Sequence, residues 1–146
     1  IISKILYINI ATSDKNGNPW NSPVYSAFDE NYNFYWISWT KNQHSKNIKE
    51  NNKAFITIYD SAVREGKGEG VYILAKAYEI NDRKEIEQAL KYLDGRVDAV
   101  GRHSFKRLSR SMPRRVYKAV PKKVWMNIDG DIGGEYIDKR VEIRLK

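Results

Sequence analysis

The residues best suited to chemistry lie in one short stretch. Phe34-Tyr35-Trp36-Ile37-Ser38-Trp39-Thr40 is followed by Lys41-Asn42-Gln43 and then by His44-Ser45-Lys46-Asn47-Ile48. A strand ending in hydroxyl and aromatic side chains thus runs into a helix that opens with His, Ser and Lys. The first turn of a helix carries free N–H groups and a partial positive charge, which together bind phosphate. Ser38, Thr40 and Ser45 add hydroxyl donors, and Lys46 adds a full charge. A plain N-cap followed by a solvated helix uses the same residue types, and on the residues alone both readings stay open.

Other candidate motifs are weaker. Gly66-Lys67-Gly68-Glu69-Gly70 has the glycines of a phosphate cradle. It lacks the spacing, the Lys-Ser/Thr pair and the following helix, so it reads as a hairpin loop. Arg102, Lys106, Arg107, Arg110, Arg114, Arg115 and Lys118 form a basic cluster with Phe105 and Tyr117 interleaved. It fits nucleic-acid phosphates, the steering of an anionic substrate, or a solvated basic face, of which the last is favoured. His44 and His103 lie far apart in sequence with no carboxylates at ligand spacing, so no metal site is expected. Neither has a nucleophile motif beside it. Asp129 and Asp131 flank Gly130, which is turn chemistry.

The elements that must position these residues are mostly strands. Residues 5–12 alternate and are β-branched, Asn16-Gly17 signals a hairpin, and 22–28 is the partner strand. Residues 29–33 make a second turn and 34–39 a third strand, which completes a meander. A short helix begins near residues 42–44 and runs to about 52. Strands follow at 54–59 and 71–80, with 60–70 as a loop. Asp82 and Glu85 resemble a capping box, and Ile86, Ala89, Leu90 and Leu93 recur at helical spacing up to Gly95. Residues 104–112 suggest another helix. A strand over 116–128 is interrupted at Pro121, a turn starts at Asp129-Gly130 and extends to Gly133-Gly134, and 136–145 is the last strand. The sum is mainly β: a six- to seven-stranded antiparallel barrel with two or three short helices, closed or nearly closed so that few edges stay exposed.

Composition bounds the reading. The chain has 146 residues, 41% of them hydrophobic and 30% charged, which suits one folded domain over 1–146. No apolar run approaches the roughly 20 residues that span a bilayer, so no membrane partner is expected. There is no cysteine, which removes disulfides and a thiolate nucleophile and fits a cytoplasmic location. A net charge of +8 attracts anions, whether phosphorylated cofactors, acidic substrates or nucleic acid. Four Trp and ten Tyr exceed what a core of this size needs, and some are expected at a dimer interface or around a ring-shaped ligand.

The run Asn21-Ser22-Pro23-Val24-Tyr25, the Phe-Tyr-Trp-x-Ser strand, His44-Ser45-Lys46-Asn47-Ile48, and Glu50-Asn51-Asn52 before a β-rich 54–60 together resemble the flavin-binding split barrels related to pyridoxamine 5′-phosphate oxidase. The element order matches too. The likeness covers residues 5–78, and more loosely 116 to the end. It implies a split barrel that binds FMN at the interface of a homodimer and oxidises or reduces a small-molecule substrate. Asn21, Ser22, Pro23 and Val24 would then lie along the isoalloxazine and ribityl chain. Ser38, Trp39 and Thr40 would meet the ring edge or the ribityl hydroxyls. His44, Ser45 and Lys46 would hold the phosphate, where the family commonly has an Arg-Lys pair. Gly70 and Val71 fall near a ring-contacting position that is often Gln in the family, so a backbone contact is implied instead. Trp125 would come from the second subunit, with Lys123 and Arg140 behind it. The family's Arg-x-His substrate element has no counterpart here, so the named oxidase reaction is not expected. No residue is assigned as acid or base. A non-catalytic flavin sensor or carrier, a nucleic-acid-binding barrel using the 102–118 cluster, and a deazaflavin or haem in place of FMN are the alternatives.

Overall fold

The computed structural model describes residues 1–96, 103–108 and 113–145. Among them the element order is β1 (Tyr7–Ser13), β2 (Pro19–Tyr25), β3 (Ala27–Phe28), β4 (Phe34–Trp39), α1 (Gln43–Glu50), β5 (Lys53–Tyr59), β6 (Gly70–Glu79), α2 (Arg83–Gly95), β7 (Arg114–Ile132) and β8 (Glu135–Ile143). A 3-10 turn, Phe105–Leu108, precedes β7. It falls within the helix expected over 104–112, and the rest of that stretch lies outside the described residues. No described helix is long and apolar enough to cross a membrane.

One antiparallel sheet contains all eight strands in the order β2-β1-β5-β6-β7-β4-β3, with β8 paired to β7 beside this path. The two ends of the path, β2 and β3, are separated in sequence only by Ser26, so the chain itself brings the edges together. This break corrects two expectations. The strand read as 22–28 is two strands, which raises the count to eight. The third strand does not continue a meander: β4 pairs with β7 over Phe34↔Ala119 to Trp39↔Arg114 and meets only the two-residue β3 on its other side. Local pairing lost to the long β7, which offers six partners where β2 would compete with β1.

Two short segments explain how the chain turns where it does. Asp14 Oδ1 accepts the backbone N–H groups of Asn16 and Asn18 at 2.8 and 2.9 Å, and Asn18 Nδ2 donates to Asp14 Oδ2. Asp29 repeats the arrangement with Asn31, Asn33 and the Asn33 side chain. Each is an Asp-x-Asn-x-Asn segment whose fourth residue has positive φ, Gly17 at 84° and Tyr32 at 56°. The second differs in burial. Asp29 is only 8% exposed and also accepts the Tyr35 hydroxyl at 2.8 Å.

The C-terminal half corrects a third expectation. Asp129-Gly130 is not a turn. β7 runs on to Ile132, pairs with β8 from Val124↔Ile143 to Ile132↔Glu135, and reverses at Gly133 and Gly134, both with positive φ. Pro121 does not interrupt the strand either. The ladder to β6 passes from Leu74↔Lys123 to Ala75↔Pro121, so Lys122 is bulged out and the missing proline N–H falls at an irregularity.

The core has two parts. Ile8, Ile10, Phe34, Trp36, Ile56 and Ile73 fill the inside of the sheet. Ile86, Ala89, Leu90 and Leu93 of α2 cover Ala27, Tyr35 and Val116 on its other side. Asp82 Oδ1 caps α2 by accepting Glu85 N–H at 2.8 Å. At the far end Arg96 donates to the carbonyls of Ile2, Ser3, Ile5 and Ser26 and lies over the Phe28 ring, which ties the first residues of the chain to the end of α2.

The twin turns give a paired test. Asp29→Ala leaves the buried Tyr35 hydroxyl and the part-buried donors of Asn31 and Asn33 without an acceptor and is expected to lower unfolding free energy by about 3 kcal/mol in urea titration. Asp14→Ala exposes the same donors to water and is expected to have a clearly smaller effect. Equal losses would show that burial does not set the difference.

Candidate functional site

Alternation along β4 decides what faces the site. Phe34 and Trp36 point into the core, and Ser38 follows them on the same face, where the strand reaches the first turn of α1. Helix α1 buries His44, Ser45, Asn47 and Ile48 and leaves Lys46, Lys49 and Glu50 in water. His44 and Ser38 therefore meet. His44 Nε2 is 2.7 Å from Ser38 Oγ, and its Nδ1 is 3.1 Å from Ser22 Oγ on β2. Trp20 Nε1 donates to Ser22 Oγ at 3.0 Å, and Asn42 Nδ2 donates to Ser38 Oγ at 2.9 Å.

This chain has a definite hydrogen count. Burial holds the His44 imidazole below its ordinary value of 6.5, so near neutral pH it carries one ring hydrogen. If that hydrogen is on Nδ1, Ser38 donates to Nε2 and the Ser22 hydroxyl hydrogen is left over. If it is on Nε2, Ser22 donates to Nδ1 and the Ser38 hydrogen is left over. Either way one hydroxyl can donate outside the network.

Ser38 and His44 line a cavity of about 680 Å³, a size that suits a small-molecule or cofactor site. Pro23, Val24, Tyr25 and Ile37 form one wall, Leu93 and Leu108 the other, and Trp39, Asn42, His103, Ser104 and Arg114 complete it. Asn42 is the N-cap residue of α1 by position, but its side chain makes no capping bond and turns to Ser38 instead. Asn42 thus leaves the first N–H groups of α1 uncapped by its side chain.

The structure brings together Pro23, Val24, Ser38, Trp39 and His44 among the residues singled out from sequence. Ser22 joins them through His44. Asn21, Thr40 and Lys46 do not line the cavity, and Lys46 is exposed. Ser45 is buried. Its Oγ is near enough to the Tyr117 phenol to offset part of the rise that burial gives that group, yet has no partner in bonding geometry. Gly70 and Val71 sit at the opposite end of β6, where Asn127 accepts the Gly70 N–H and Val71 packs in the core. Trp125 stacks on Phe55 with centroids 6.2 Å apart, also away from the cavity.

Sequence reading missed Asn42, His103 and Arg114 as lining residues. His103 Nδ1 lies 2.6 Å from Asp94 Oδ1, and the same oxygen receives the His103 backbone N–H at 3.1 Å. The two residues flank the end of α2 at a spacing that follows no helix or strand period, so only the fold reveals the pair. The described part of the basic cluster is dispersed. Lys118 pairs with Glu85 at 2.7 Å, Arg115 with Glu79 at 3.4 Å, and Arg114 lines the cavity. Arg102 and Arg110 lie outside the described residues.

With this geometry in place, comparison with known proteins is direct. The chain belongs to the pyridoxamine 5′-phosphate oxidase family, whose model matches residues 1–127. No curated protein matches its sequence. Among solved structures it is similar to a proposed 5-nitroimidazole antibiotic resistance protein from Bacteroides thetaiotaomicron, with TM-score 0.71, 18% identity, and 86% of this chain and 78% of that one covered. It is also similar to HutZ, the haem storage protein of Vibrio cholerae, with TM-score 0.70, 14% identity and coverage of 84% and 87%. An F420 reductase matches with TM-score 0.61, 20% identity and coverage of 84% and 91%. At such identities these likenesses show the shared fold.

The buried imidazole makes stability depend on pH with a known sign. Above 6.5 neither the folded nor the unfolded chain protonates His44. Below 6.5 the unfolded chain takes up the proton first, so stability falls as pH drops toward the lower folded value. The slope of this component is at most about 1.4 kcal/mol per pH unit. Unfolding free energies measured from pH 7.5 to 5 should show the decline in the wild type and a smaller one in His44→Gln. Parallel curves would remove His44 as its source.

Proposed function

We propose that this protein binds FMN in the cavity between β2, β4 and α1, as a homodimer in the cytoplasm, and acts as an oxidoreductase on a small molecule. The observation that carries the reading is Asn42. The residue that ought to cap α1 is instead bonded to Ser38, which keeps the helix's first N–H groups open at the cavity. Those groups and the helix dipole suit a phosphate. His44 sits in the same turn and, with Ser22 and Ser38, offers one hydroxyl hydrogen toward a ring or ribityl oxygen. Val24, Ile37, Leu93 and Leu108 supply apolar walls for a flat ring. FMN in such a site supplies hydride exchange, and the protein's own groups bind it, orient it and limit water.

Two observations support a second copy. Gly70, Val71 and Trp125 lie about ten residues along the sheet from Arg114, roughly 35 Å of extended strand. In a pair of chains packed in opposite senses, this end of one chain can reach the cavity of the other. The outer sheet face near Trp125 also exposes Phe55 and Leu74, which are register partners, as an apolar patch.

The decisive experiment compares FMN with riboflavin, which lacks the phosphate. Asn42→Asp puts a negative charge at the helix start. It is expected to weaken FMN about tenfold, some 1.4 kcal/mol, while leaving riboflavin affinity and folding unchanged. Lys46→Ala should change FMN affinity by less. Absorbance of whatever co-purifies separates flavin from haem or deazaflavin, and sedimentation should give the mass of two chains. Protein that binds neither flavin, or that binds FMN no better than riboflavin, would overturn the phosphate site.

A further inference from the structure

The cavity also carries a group contributed by neither β4 nor α1. His103 lines the cavity, and its Nδ1 faces the Asp94 carboxylate at 2.6 Å. An ionised carboxylate only accepts, so Nδ1 carries a hydrogen, and in the neutral ring Nε2 is the lone-pair nitrogen. The second bond, from the His103 backbone to the same oxygen, fixes the ring's starting point as well as its tautomer. Nε2 has no protein partner among the described residues. Asp94 sits in the last turn of α2, away from the lining, and no described carboxylate lines the cavity. The other titratable groups that do are Tyr25, whose hydroxyl donates to the Leu93 carbonyl at 3.2 Å, His44, whose nitrogens are both engaged, and Arg114. The surrounding walls are Leu93, Leu108 and Ile37.

We propose that His103, positioned by Asp94, is a base that receives the acidic O–H of this cavity's ligand, with Arg114 beside the resulting oxyanion, and that the ligand class is a small planar phenol or carboxylic acid. The inference deepens the proposed function and rests on it for the identity of the site. The chemistry is a proton transfer alone: the ligand O–H bond breaks, the Nε2–H bond forms, and the pair of opposite charges stays within the site. Apolar walls accept a flat body, while a neutral ligand lacking the acidic hydrogen would leave Nε2 unpaired, which disfavours it. Asp94 acts through His103 and is a positioning residue.

The probe is 4-nitrophenol, whose phenolate absorbs in the visible and whose phenol does not. The protein as purified is titrated with it about one pH unit below the probe's own pKa, and the difference spectrum is recorded. The wild type is expected to bind the probe and to raise its ionised fraction at least threefold over free solution. His103→Gln should lose that rise and bind about tenfold more weakly, and Asp94→Asn should lose most of the rise. Nitrogen NMR of the ring should show the Nε2 signal moving on probe binding in the wild type. FMN titration of the wild type is run alongside, which keeps the two readings apart. An ionised fraction equal in wild type and His103→Gln overturns the inference even if FMN binds. Loss of FMN binding in the wild type overturns the proposed function while leaving a His103-dependent probe signal as evidence for this base.

Discussion

The buried imidazole of His44 is where the barrel and the cavity depend on one another. A neutral ring bonded on both sides by hydroxyls ties the junction of β4 and α1, through Ser38, to the earlier strand β2, through Ser22. β2 and β4 are not hydrogen-bonded neighbours in the sheet. Beside the packing of Val24 with Phe34 and Trp36, this ring is the hydrogen-bonded link between them. A charged ring there would have to shed water, so burial at this point favours the neutral form. The same bond set draws Asn42 toward Ser38 and leaves the helix start open. Stability at the seam and receptivity to an anion thus come from one constraint.

Much of the architecture was legible because its signals are local. Asn16-Gly17 marked the first hairpin, Asp82 the start of α2, and the apolar alternation at 34–39 marked β4 with its observed ends. What was not legible depends on competition between distant partners. No local feature tells β4 to prefer β7 over β2. Nor does one say that Asp129-Gly130 will be held extended by nine pairs with β8. The site divides in the same way. His44 and Ser38 were found because strand end and helix start are adjacent in sequence, and Val24 because the run over 21–25 resembles the family. Arg114 and the Asp94–His103 pair were not, because their meeting requires α2 and the start of β7 to be folded against β4 first.

Charge also reads differently once partners are known. The basic run that suggested a nucleic-acid face includes Lys118, which lies over the Tyr35 ring and pairs with Glu85 of α2. That lysine helps seat a helix. Arg115 reaches Glu79 on the neighbouring strand. Positive charge in this region serves packing in part, while Arg114 opens to the cavity.

The repeated Asp-x-Asn-x-Asn turn has a consequence for how the chain acquires its shape. Each segment satisfies its own backbone over five residues and needs nothing from elsewhere to do so. The reversals on either side of the β2 to β3 segment can therefore form early, as low-contact-order events, before any of the long-range ladders to β7 exist. The slow part of folding would then be the search by β7, whose partners β4 and β6 must be gathered from opposite directions along the polypeptide.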